Sequence, residues 1–567
     1  MKSRIVYYES LAIKLLAFLI LCIIWLVPFF QILHEILSPS ATSNSSVSTA
    51  LINSPPPWLN SNHDLSRWLE LGWHSLRLGV ATALMAIPAS FFIAFIFDQG
   101  NWPGKLVLQK IWRLFIFIPL PITATIWLGS FSNLGRSQAF GLSAKPIVTG
   151  WLAASIVHAL AALPLLVWIF ASVMRRSDKS LQELAQLDHP FPRSFFCSKF
   201  IQTIPAIQAS AIIIVMLTTS DMTVTDLVQE RTFAEESYLQ SQMGDGLAAA
   251  ASTALPPTVF TAILFCIWLS RYKNSLITAA HFQMNINPQS YTFHRRINSW
   301  PPLFIMSGLT LLLWILPIMA ITWRAGRSGG VALLNQLPQW SLKNLAFNLS
   351  GARADLSDTF VSTLMVCSMT AFFSVILAWL LAETAVKSRL ITLLLIAGCT
   401  IGLATPGPVA GLATAWAWMP LHIIYDSPAI VILAQLFRLL PIAILWVWPA
   451  ITSRSLAIAE MIQLDRLSTH QKLMQVVLPG VGPLLTATFF IIFAMAFAEL
   501  PASNIVAPPG LDLFSIRLWG LMHTGLESHL AAVVLLSMLL ISLSGLMLRG
   551  FSFWFLKKIE KSRHVMK

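Results

Sequence analysis

The sequence predicts an all-α membrane protein of about twelve transmembrane helices, arranged as two parallel six-helix halves with both termini in the cytoplasm. Three observations support this prediction: the composition, the long apolar runs and the distribution of basic residues. Of the 567 residues, 56% are hydrophobic and only 11% are charged, whereas a soluble protein carries about 25% charged residues. No single core grows large enough to bury that excess. The composition therefore excludes a disordered or disulfide-built secreted protein and argues against a soluble enzyme.

Twelve apolar runs are long enough for spanning helices, which need about 20 mainly apolar residues. In chain order they are centred on residues 11–31, 72–97, 110–130, 147–173, 204–221, 247–270, 302–323, 357–382, 389–418, 428–452, 482–500 and 528–550. The first run is interpreted as a membrane anchor, because it is long for a signal peptide and lacks a clear A-x-A cleavage site. Prolines inside the runs, such as Pro119, Pro121, Pro406 and Pro408, either kink helices or serve packing.

The basic residues orient these runs. With both termini in the cytoplasm, the cytoplasmic segments contain 26 of the 37 basic residues and 9 of the 24 acidic ones. Those segments carry a charge of +17 and the rest of the chain carries −4. This asymmetry follows the positive-inside rule and favours an even number of spans. The net charge of +13 is thus explained by topology, with the lipid bilayer as partner, and no nucleic-acid partner is predicted.

An internal repeat divides the chain into two halves. A polar cytoplasmic stretch at 271–300 separates the sixth run from the seventh, which predicts halves at 1–280 and 281–567. The pattern E-x-x-Q-L-D at Glu183 recurs 277 residues later at Glu460, and each copy lies in the loop after the fourth run of its half. Downstream, Asp221 matches Glu499 at a spacing of 278. Because six spans return the chain to its starting side, the halves have the same orientation and form a parallel repeat.

Both repeated loops, at about 175–202 and 453–480, predict a short amphipathic helix on the cytoplasmic face. An acid opens each segment, which is typical of a helix N-terminus, and apolar residues follow at helical spacing. A helix of this kind either lies in the lipid interface or binds a partner. Two copies at equivalent positions favour a pair of equal binding sites on a partner.

The second loop resembles the EAA loop of permeases of type I (MetI-like) ABC importers. It contains Glu460, then Asp465, and ends in Leu478-Pro479; Arg466 stands where that family has glycine. The first loop retains Glu183, Ala185 and Asp188 but has His189 for the glycine, and Pro190 and Pro192 interrupt it. The resemblance implies a coupling helix in each half that docks on a separate cytoplasmic ATPase subunit. The coupling residues it implies are Glu183, Ala185, Asp188, Glu460, Asp465 and Arg466.

Other segments narrow the resemblance to fused permeases of the ferric-iron and thiamine group. They are the segment PGPVAGL at 406–412, Glu499-Leu500 followed by Pro508-Pro509-Gly510, and SDMTVTD at 220–226. The resemblance implies two cytoplasmic ATPase subunits, which bind the ATP and magnesium, and a solute-binding protein on the outer face. This chain itself is then expected to hold no cofactor and to lie in the bacterial inner membrane.

No catalytic or metal-binding motif competes with this interpretation. A phosphate-binding loop, H-E-x-x-H, G-x-S-x-G and C-x-x-C are all absent from the sequence, and its five cysteines are scattered. No catalytic residue, no metal ligand and no enzymatic activity of the isolated chain are therefore predicted.

Three charged residues at or within the runs are candidates for the translocation path or its outer gate. Asp221 and Glu499 lie at matched ends of the fifth and eleventh runs, and Arg438 lies within the tenth. Charge is costly in a membrane and often marks a pathway, although the two acids equally fit the water interface. His158, in the fourth run, is interpreted as a packed residue.

Further acids follow Asp221 on the outer side. These acids are Asp226, Glu230, Glu235 and Glu236. The sequence allows three interpretations of the set: a site that attracts a cation, a surface that binds basic residues of a docking protein, or a solvated loop face.

The sequence thus favours the permease subunit of an importer, with ferric iron as the first substrate, thiamine as the second and another small solute as the third. The competing class is a secondary transporter or channel that works without ATP. It requires an ion site within the membrane, and few acids lie in the runs to form one.

Overall fold

The computed structural model describes residues 15–37, 62–98, 102–131, 150–175, 179–190, 193–242, 253–268, 300–327, 339–452, 478–524 and 528–543, with 250, 546–547 and 550. Within this part the chain is almost entirely helical. The helices up to the middle of the chain are α1 (Leu15–His34), α2 (Asn62–Asp98), α3 (Lys105–Leu114), α4 (Leu120–Phe131), α5 (Gly150–Arg175), α6 (Lys179–Asp188), α7 (Arg193–Thr219), α8 (Thr223–Leu227), α9 (Phe233–Gln242) and α10 (Thr253–Trp268).

The remaining helices follow in chain order. They are α11 (Trp300–Ala325), α12 (Leu342–Lys387), α13 (Arg389–Ala404), α14 (Gly407–Trp418), α15 (His422–Tyr425), α16 (Ala429–Thr452), α17 (Leu478–Ala498), α18 (Ser503–Val506), α19 (Phe514–Thr524) and α20 (Ser528–Leu543). A single isolated bridge, between Arg327 and Trp340, is the extent of β pairing among the described residues.

Each of the twelve predicted runs has an apolar helix at its place. Among the described residues, seven helices are long and apolar enough to cross a membrane, and two bent pairs raise the number to nine if each counts as one span. The remaining runs hold shorter apolar helices, namely Thr253–Trp268, Leu484–Ala498 and Ser528–Leu543. A multi-pass helical membrane protein fits this arrangement. The count of twelve spans and the cytoplasmic termini stay predictions, since residues 1–14 and 551–567 lie outside the described part.

The third and ninth runs are each broken into two helices, as the kinking alternative for their prolines predicts. The chain bends by 103° between α3 and α4 and by 118° between α13 and α14. Pro119 and Pro121 lie at the first break and Pro406 and Pro408 at the second. Proline lacks an N–H group and disfavours helical geometry in the residue before it. Two prolines one residue apart therefore end one helix and begin the next.

Apart from α6 and α15, the order of elements in α2–α10 is repeated in α12–α20. We refer to residues 62–268 as the first repeat and to 342–543 as the second. Each contains a long helix, a bent pair, a second long helix, a third helix, two short helices and a final apolar helix. In the first repeat α9 packs on α2 and on α14, while in the second α19 packs on α12 and on α4. Reciprocal contacts of this kind are typical of a two-fold interface.

The helix that precedes each repeat packs on the other repeat. Trp25, in a π-helical turn of α1, donates its Nε1–H to the backbone oxygen of Phe437 in α16 at 2.8 Å. Its ring lies over Gly398, where a Cβ would come within 2.0 Å of it. Trp314, in a π-helical turn of α11, stacks on Phe115 next to α3 with ring centroids 4.2 Å apart. The predicted boundary near residue 280 lies outside the described residues and stays a prediction.

Candidate functional site

The two matched acids are placed by the same local structure. Asp221 follows α7, and its Oδ2 accepts a hydrogen bond from the backbone N–H of Val224 in α8 at 3.2 Å. Glu499 follows α17, and its carboxylate accepts the N–H groups of Ala502 and Ser503 at 3.1 and 3.0 Å. A carboxylate at a helix N-terminus satisfies backbone donors that have no partner in the helix. Both acids are buried, so they do not lie at an open water interface as the alternative interpretation required.

A basic residue from another long helix faces each acid. Arg438 of α16 forms an ion pair with Glu499, with Nη1 and Oε1 2.6 Å apart. His158 of α5 lies beside Asp221, with Nε2 and Oδ2 3.6 Å apart. The interpretation of His158 as merely packed missed this partner. Its sequence signal is a similar spacing, because His158 precedes its acid by 63 residues and Arg438 precedes its acid by 61.

The segments after α7 and α17 meet each other in a buried apolar group, which we call the junction cluster. Met222 follows Asp221 and Leu500 follows Glu499, and both are almost fully buried in this cluster. Its members are Met222, Ala234, Tyr238, Leu500, Ile516 and Trp519. Matched residues of a two-fold arrangement contact one another only near its axis. The junction cluster therefore lies on the approximate axis that relates the repeats.

Reciprocal polar contacts surround the junction cluster. Trp519 donates its Nε1–H to Asp226 at 3.1 Å, and Asn504 donates its Nδ2–H to the Tyr238 hydroxyl at 3.3 Å. Asp226 matches Asn504 at a spacing of 278, and Tyr238 matches Trp519 at a spacing of 281, which is three residues longer. The Tyr238 and Trp519 rings also meet edge to face, with centroids 6.1 Å apart. One repeat thus binds the other through equivalent positions.

A second pair of matched residues contacts across the axis, further along the long helices from the acids. The rings of Trp168 in α5 and Trp446 in α16, which are 278 residues apart, lie with their centroids 5.9 Å apart. Trp168 follows His158 by ten residues, which is about 15 Å along a helix. The axis is therefore occupied by side chains at the level of the acids and again at the level of the tryptophans.

The acids after Asp221 are engaged by neighbouring residues, so the interpretation as a solvated loop face is wrong for most of them. Glu230 pairs with Arg77 at 2.5 Å, and Glu236 pairs with Arg67 at 2.5 Å. Asp226 pairs with His523, which lies 3.0 Å away in the other repeat. In the described part of the chain, no group of three His, Cys, Asp or Glu side chains is arranged to hold a metal ion.

Glu235 differs from these acids, because its Oε2 is buried without a hydrogen-bond partner. Burial, followed by the charge of Asp226, raises the pKa of Glu235 from 4.5 to about 7, against the opposing charge of Arg231. Between these values the folded protein retains a proton that the unfolded chain has lost. The contribution of Glu235 to stability therefore falls as the pH rises from 4.5 through 7.

We expect Glu235→Gln to flatten the fall in the thermal unfolding midpoint between pH 5 and pH 7.5 in detergent. The difference between variant and wild type isolates Glu235 from the histidines that titrate in the same range. Glu230→Gln, which breaks the ion pair with Arg77, is the matched control and should lower the midpoint without removing its slope. Equal slopes in wild type and Glu235→Gln would contradict the prediction.

The first repeated loop forms α6, which begins at Lys179 and not at Glu183. Glu183 thus lies in the middle of the helix, which corrects the expectation of an acid in its first turn. Leu184 and Leu187 of α6 are 58% and 83% exposed, so the helix presents apolar side chains that nothing in the described chain covers. Ala185 is half-buried and Asp188, the last residue of α6, is exposed. Glu460, Asp465 and Arg466 lie outside the described residues.

The helix that follows α6 is fixed to its neighbours by a buried cation. Lys199 of α7 pairs with Asp98 at the end of α2, with Nζ and Oδ2 3.3 Å apart, and donates a hydrogen bond to the backbone oxygen of Met174 in α5. Both charged side chains are buried, so removal of one would leave the other without compensation. Three long helices are thus joined at the end of the repeat from which α6 projects.

The fold and the site define a multi-pass helical membrane protein whose two repeats meet in a closed junction. The chain is 27% identical over 217 residues, 36% of its length, to the maltose/maltodextrin transport system permease protein MalG of Salmonella typhimurium, 68% of which is covered. It is 21% identical over 494 residues to the Fe(3+)-transport system permease protein FbpB 2 of Haemophilus influenzae, with 85% of this chain and 89% of that protein covered. No protein-family model matches the chain. The relatives are transport permeases, and they support the same class for this protein.

Proposed function

We propose that the chain is the membrane permease subunit of a bacterial ABC importer, located in the inner membrane. A solute-binding protein delivers a small solute to the outer face, and two cytoplasmic ATPase subunits drive its passage. ATP must bind the outward-open state better than the inward-open state, since a ligand shifts a conformational equilibrium only through unequal affinity. The chain itself then performs no catalysis and binds neither ATP nor magnesium. The similarity to transport permeases over most of the chain supports this proposal.

The exposed helix α6 is the observation that carries the proposal. Its uncovered leucines fit insertion into an apolar groove of a partner, one of the recurring modes of helix recognition. The charge distribution favours a cytoplasmic position for α6, where the ATPase subunits would lie. In this function Glu183, Ala185 and Asp188 contact one ATPase subunit, and Glu460, Asp465 and Arg466 contact the other. Lys199, Asp98 and Met174 link α7, α2 and α5, so a movement of α6 is transmitted to these three helices together.

Leu187→Asp is expected to lower the ATPase activity that substrate-loaded binding protein stimulates by about ten-fold or more. The reason is that a carboxylate replaces a side chain whose burial contributes about 1.5–3 kcal/mol, and its own burial is unfavourable. The control is Ile423→Asp, which changes an equally apolar side chain that is 91% exposed in α15, on the predicted outer side. Full stimulation in Leu187→Asp would contradict the docking role of α6.

The junction is proposed as the outer gate of the translocation path, seen here closed. The junction cluster fills the axis between the repeats at the predicted outer side, and Asp221, Glu499 and Arg438 lie directly beneath it. In an alternating-access cycle this end opens when the ATPase subunits close. The paired tryptophans Trp168 and Trp446 then lie further along the same path. The cluster and the charged residues are thus two successive layers of one gate.

Ferric iron is proposed as the substrate, with thiamine as the alternative and another small solute third. One relative that aligns with most of this chain is named for Fe(3+) transport, and the segments PGPVAGL and SDMTVTD resemble those of ferric-iron and thiamine permeases. The shorter matches are to permeases named for maltose transport. Identification of the ligand of the partner binding protein decides among these substrates.

A secondary transporter that works without ATP is the competing class. It would need an ion or proton site within the described spans. Arg438 already pairs with the Glu499 carboxylate, so the loosely held pair of Asp221 and His158 would have to provide that site. Purification of the tagged chain from its native host in mild detergent separates the two classes. We expect a second subunit that hydrolyses MgATP to copurify with the chain. A chain that purifies alone and moves solute along an ion gradient without ATP would overturn the proposal.

A further inference from the structure

The two acid–base pairs beneath the junction cluster differ in strength. The Glu499 carboxylate binds Arg438 at 2.6 Å and also accepts the Ser503 hydroxyl at 2.7 Å and two backbone N–H groups. The Asp221 carboxylate accepts one backbone N–H, and His158 Nε2 lies 3.6 Å from it without a hydrogen bond. Arginine is charged at every physiological pH, whereas histidine is not. The second repeat therefore holds its acid firmly and the first repeat holds its acid loosely.

Only the stronger pair, among the contacts described, also reaches across the junction. Arg438 donates through Nη2 to the hydroxyl of Ser220, which directly precedes Asp221, at 3.1 Å. Beside it, the backbone N–H of Gly407 approaches the Ser220 carbonyl oxygen at 3.4 Å. A Cβ at position 407 would lie 2.8 Å from Arg438 Nη1 and 2.3 Å from Pro501 Cβ, so glycine allows this close approach. Ser220 is thus held from the second repeat through both its side chain and its backbone.

The planar guanidinium explains why one residue serves both partners. Its two terminal nitrogens diverge, so Nη1 binds Glu499 within the second repeat while Nη2 binds Ser220 of the first. The contact with Glu499 is ionic, and Ser503 of α18 also donates hydrogen bonds to the Glu499 carboxylate. The contact with Ser220 joins a charged donor to a neutral acceptor and is the weaker of the two.

We propose that Arg438 is a one-sided latch of the outer gate: it stays bound to Glu499 throughout the cycle and releases Ser220 when the gate opens. The first repeat's segment 220–222 then moves away from the axis, and the second repeat's segment 499–501 stays in place. Arg438 is in this sense a positioning residue, and it acts by setting how much of the closed state is populated. The inference rests on the proposed function for its meaning, while its contacts stand on geometry alone.

Ser220→Ala tests the latch with the least disturbance, because it removes the acceptor and leaves the pair of Arg438 with Glu499 intact. The probe is a cysteine at position 222 in a background without the five native cysteines, labelled in proteoliposomes by a membrane-impermeant maleimide. We expect labelling about ten-fold faster in Ser220→Ala, since a hydrogen bond to a charged group changes an equilibrium by about that factor. Arg438→Lys should label faster as well, because an ammonium lacks the two diverging nitrogens.

Two matched variants separate latch release from general damage. Ser220→Thr keeps the hydroxyl and should label at the wild-type rate. His158→Gln changes the loosely bound counterpart and should alter the rate by less than two-fold. Unchanged labelling in both Ser220→Ala and Arg438→Lys would overturn the latch, and so would an equal increase in His158→Gln.

The same proteoliposomes distinguish failure of the latch from failure of the proposed function. With the ATPase subunits present, Ser220→Ala should also raise ATPase activity in the absence of binding protein, since the gate then opens without the binding protein. Faster labelling in a chain that binds no ATPase subunit would support the latch and reject the importer. Binding-protein-stimulated ATPase activity in the wild type, with no effect of Ser220→Ala on labelling, would support the importer and reject the latch.

Discussion

Replacement of Glu460 by lysine is expected to abolish substrate-stimulated ATPase activity and transport while the chain still inserts into the membrane. Glu460 opens the second repeated loop, whose match to the coupling pattern includes Leu478-Pro479 at its end. Reversal of a charge inside an interface costs several kcal/mol, which corresponds to a loss of at least about thirty-fold in activity. The measurement is ATP hydrolysis and solute uptake in proteoliposomes that contain the purified complex.

The first loop provides the internal comparison for this prediction. Glu183→Lys should have a milder effect, because α6 ends at Asp188 and the prolines that follow depart from the coupling pattern. Asp426→Lys, a charge reversal at an exposed residue after α15, is the control and should leave both activities near their wild-type values. Undiminished coupled transport in Glu460→Lys would contradict the role of the second loop. A larger effect at Glu183 would contradict the ranking of the two loops.

A disulfide between cysteines at positions 222 and 500 is expected to stop transport completely and reversibly. Met222 and Leu500 are matched residues in the junction cluster on the axis, so a covalent bond between them would prevent separation of the repeats there. ATP hydrolysis in the absence of binding protein should persist, because the cross-link lies far from the cytoplasmic loops. Formation with an oxidant and cleavage with a thiol allow the same sample to be measured in both forms.

The controls for the cross-link are the two single-cysteine variants, again without the native cysteines. Each should transport at a similar rate before and after oxidation. A third control places the pair at positions 342 and 423, two exposed residues of α12 and α15; it should neither cross-link nor respond to oxidant. Transport that continues in the oxidised 222–500 variant would show that the path does not pass between the repeats at this junction.

The sequence alone predicted the helical elements well because lipid imposes a periodic and local requirement. A run of about 20 apolar residues is recognisable without knowledge of any distant contact, and each run has an apolar helix at its place. The breaks were less accessible to prediction. Pro88 and Pro164 lie inside continuous helices, whereas the paired prolines at 119 and 121 end one. A single proline is accommodated within a helix at positions 88 and 164, whereas two prolines separated by one residue end the helix at 119 and 121.

The candidate site was predicted in part for the same reason. Asp221 and Glu499 stood out because charge is rare near the end of a run, and the repeat aligned them. Their partners and the pairing of Asp226 with His523 depend on the packing of distant helices, which leaves no periodic trace in the sequence. His158 shows this limit clearly: a histidine on an apolar helix has the same local pattern whether it faces an acid or only a neighbouring side chain.

The packing of α1 on the second repeat has a consequence for the biosynthesis of the protein. Trp25 leaves the ribosome roughly 400 residues before its acceptor Phe437 is made. At about 5–20 residues per second, that interval is about 20–80 seconds. During this time α1 is in the bilayer without its partners in the second repeat, so its docking on α16 is a late step of assembly. A chain truncated before residue 437 would therefore lack the acceptor that fixes its own first helix, and should be recognised by membrane quality-control proteases.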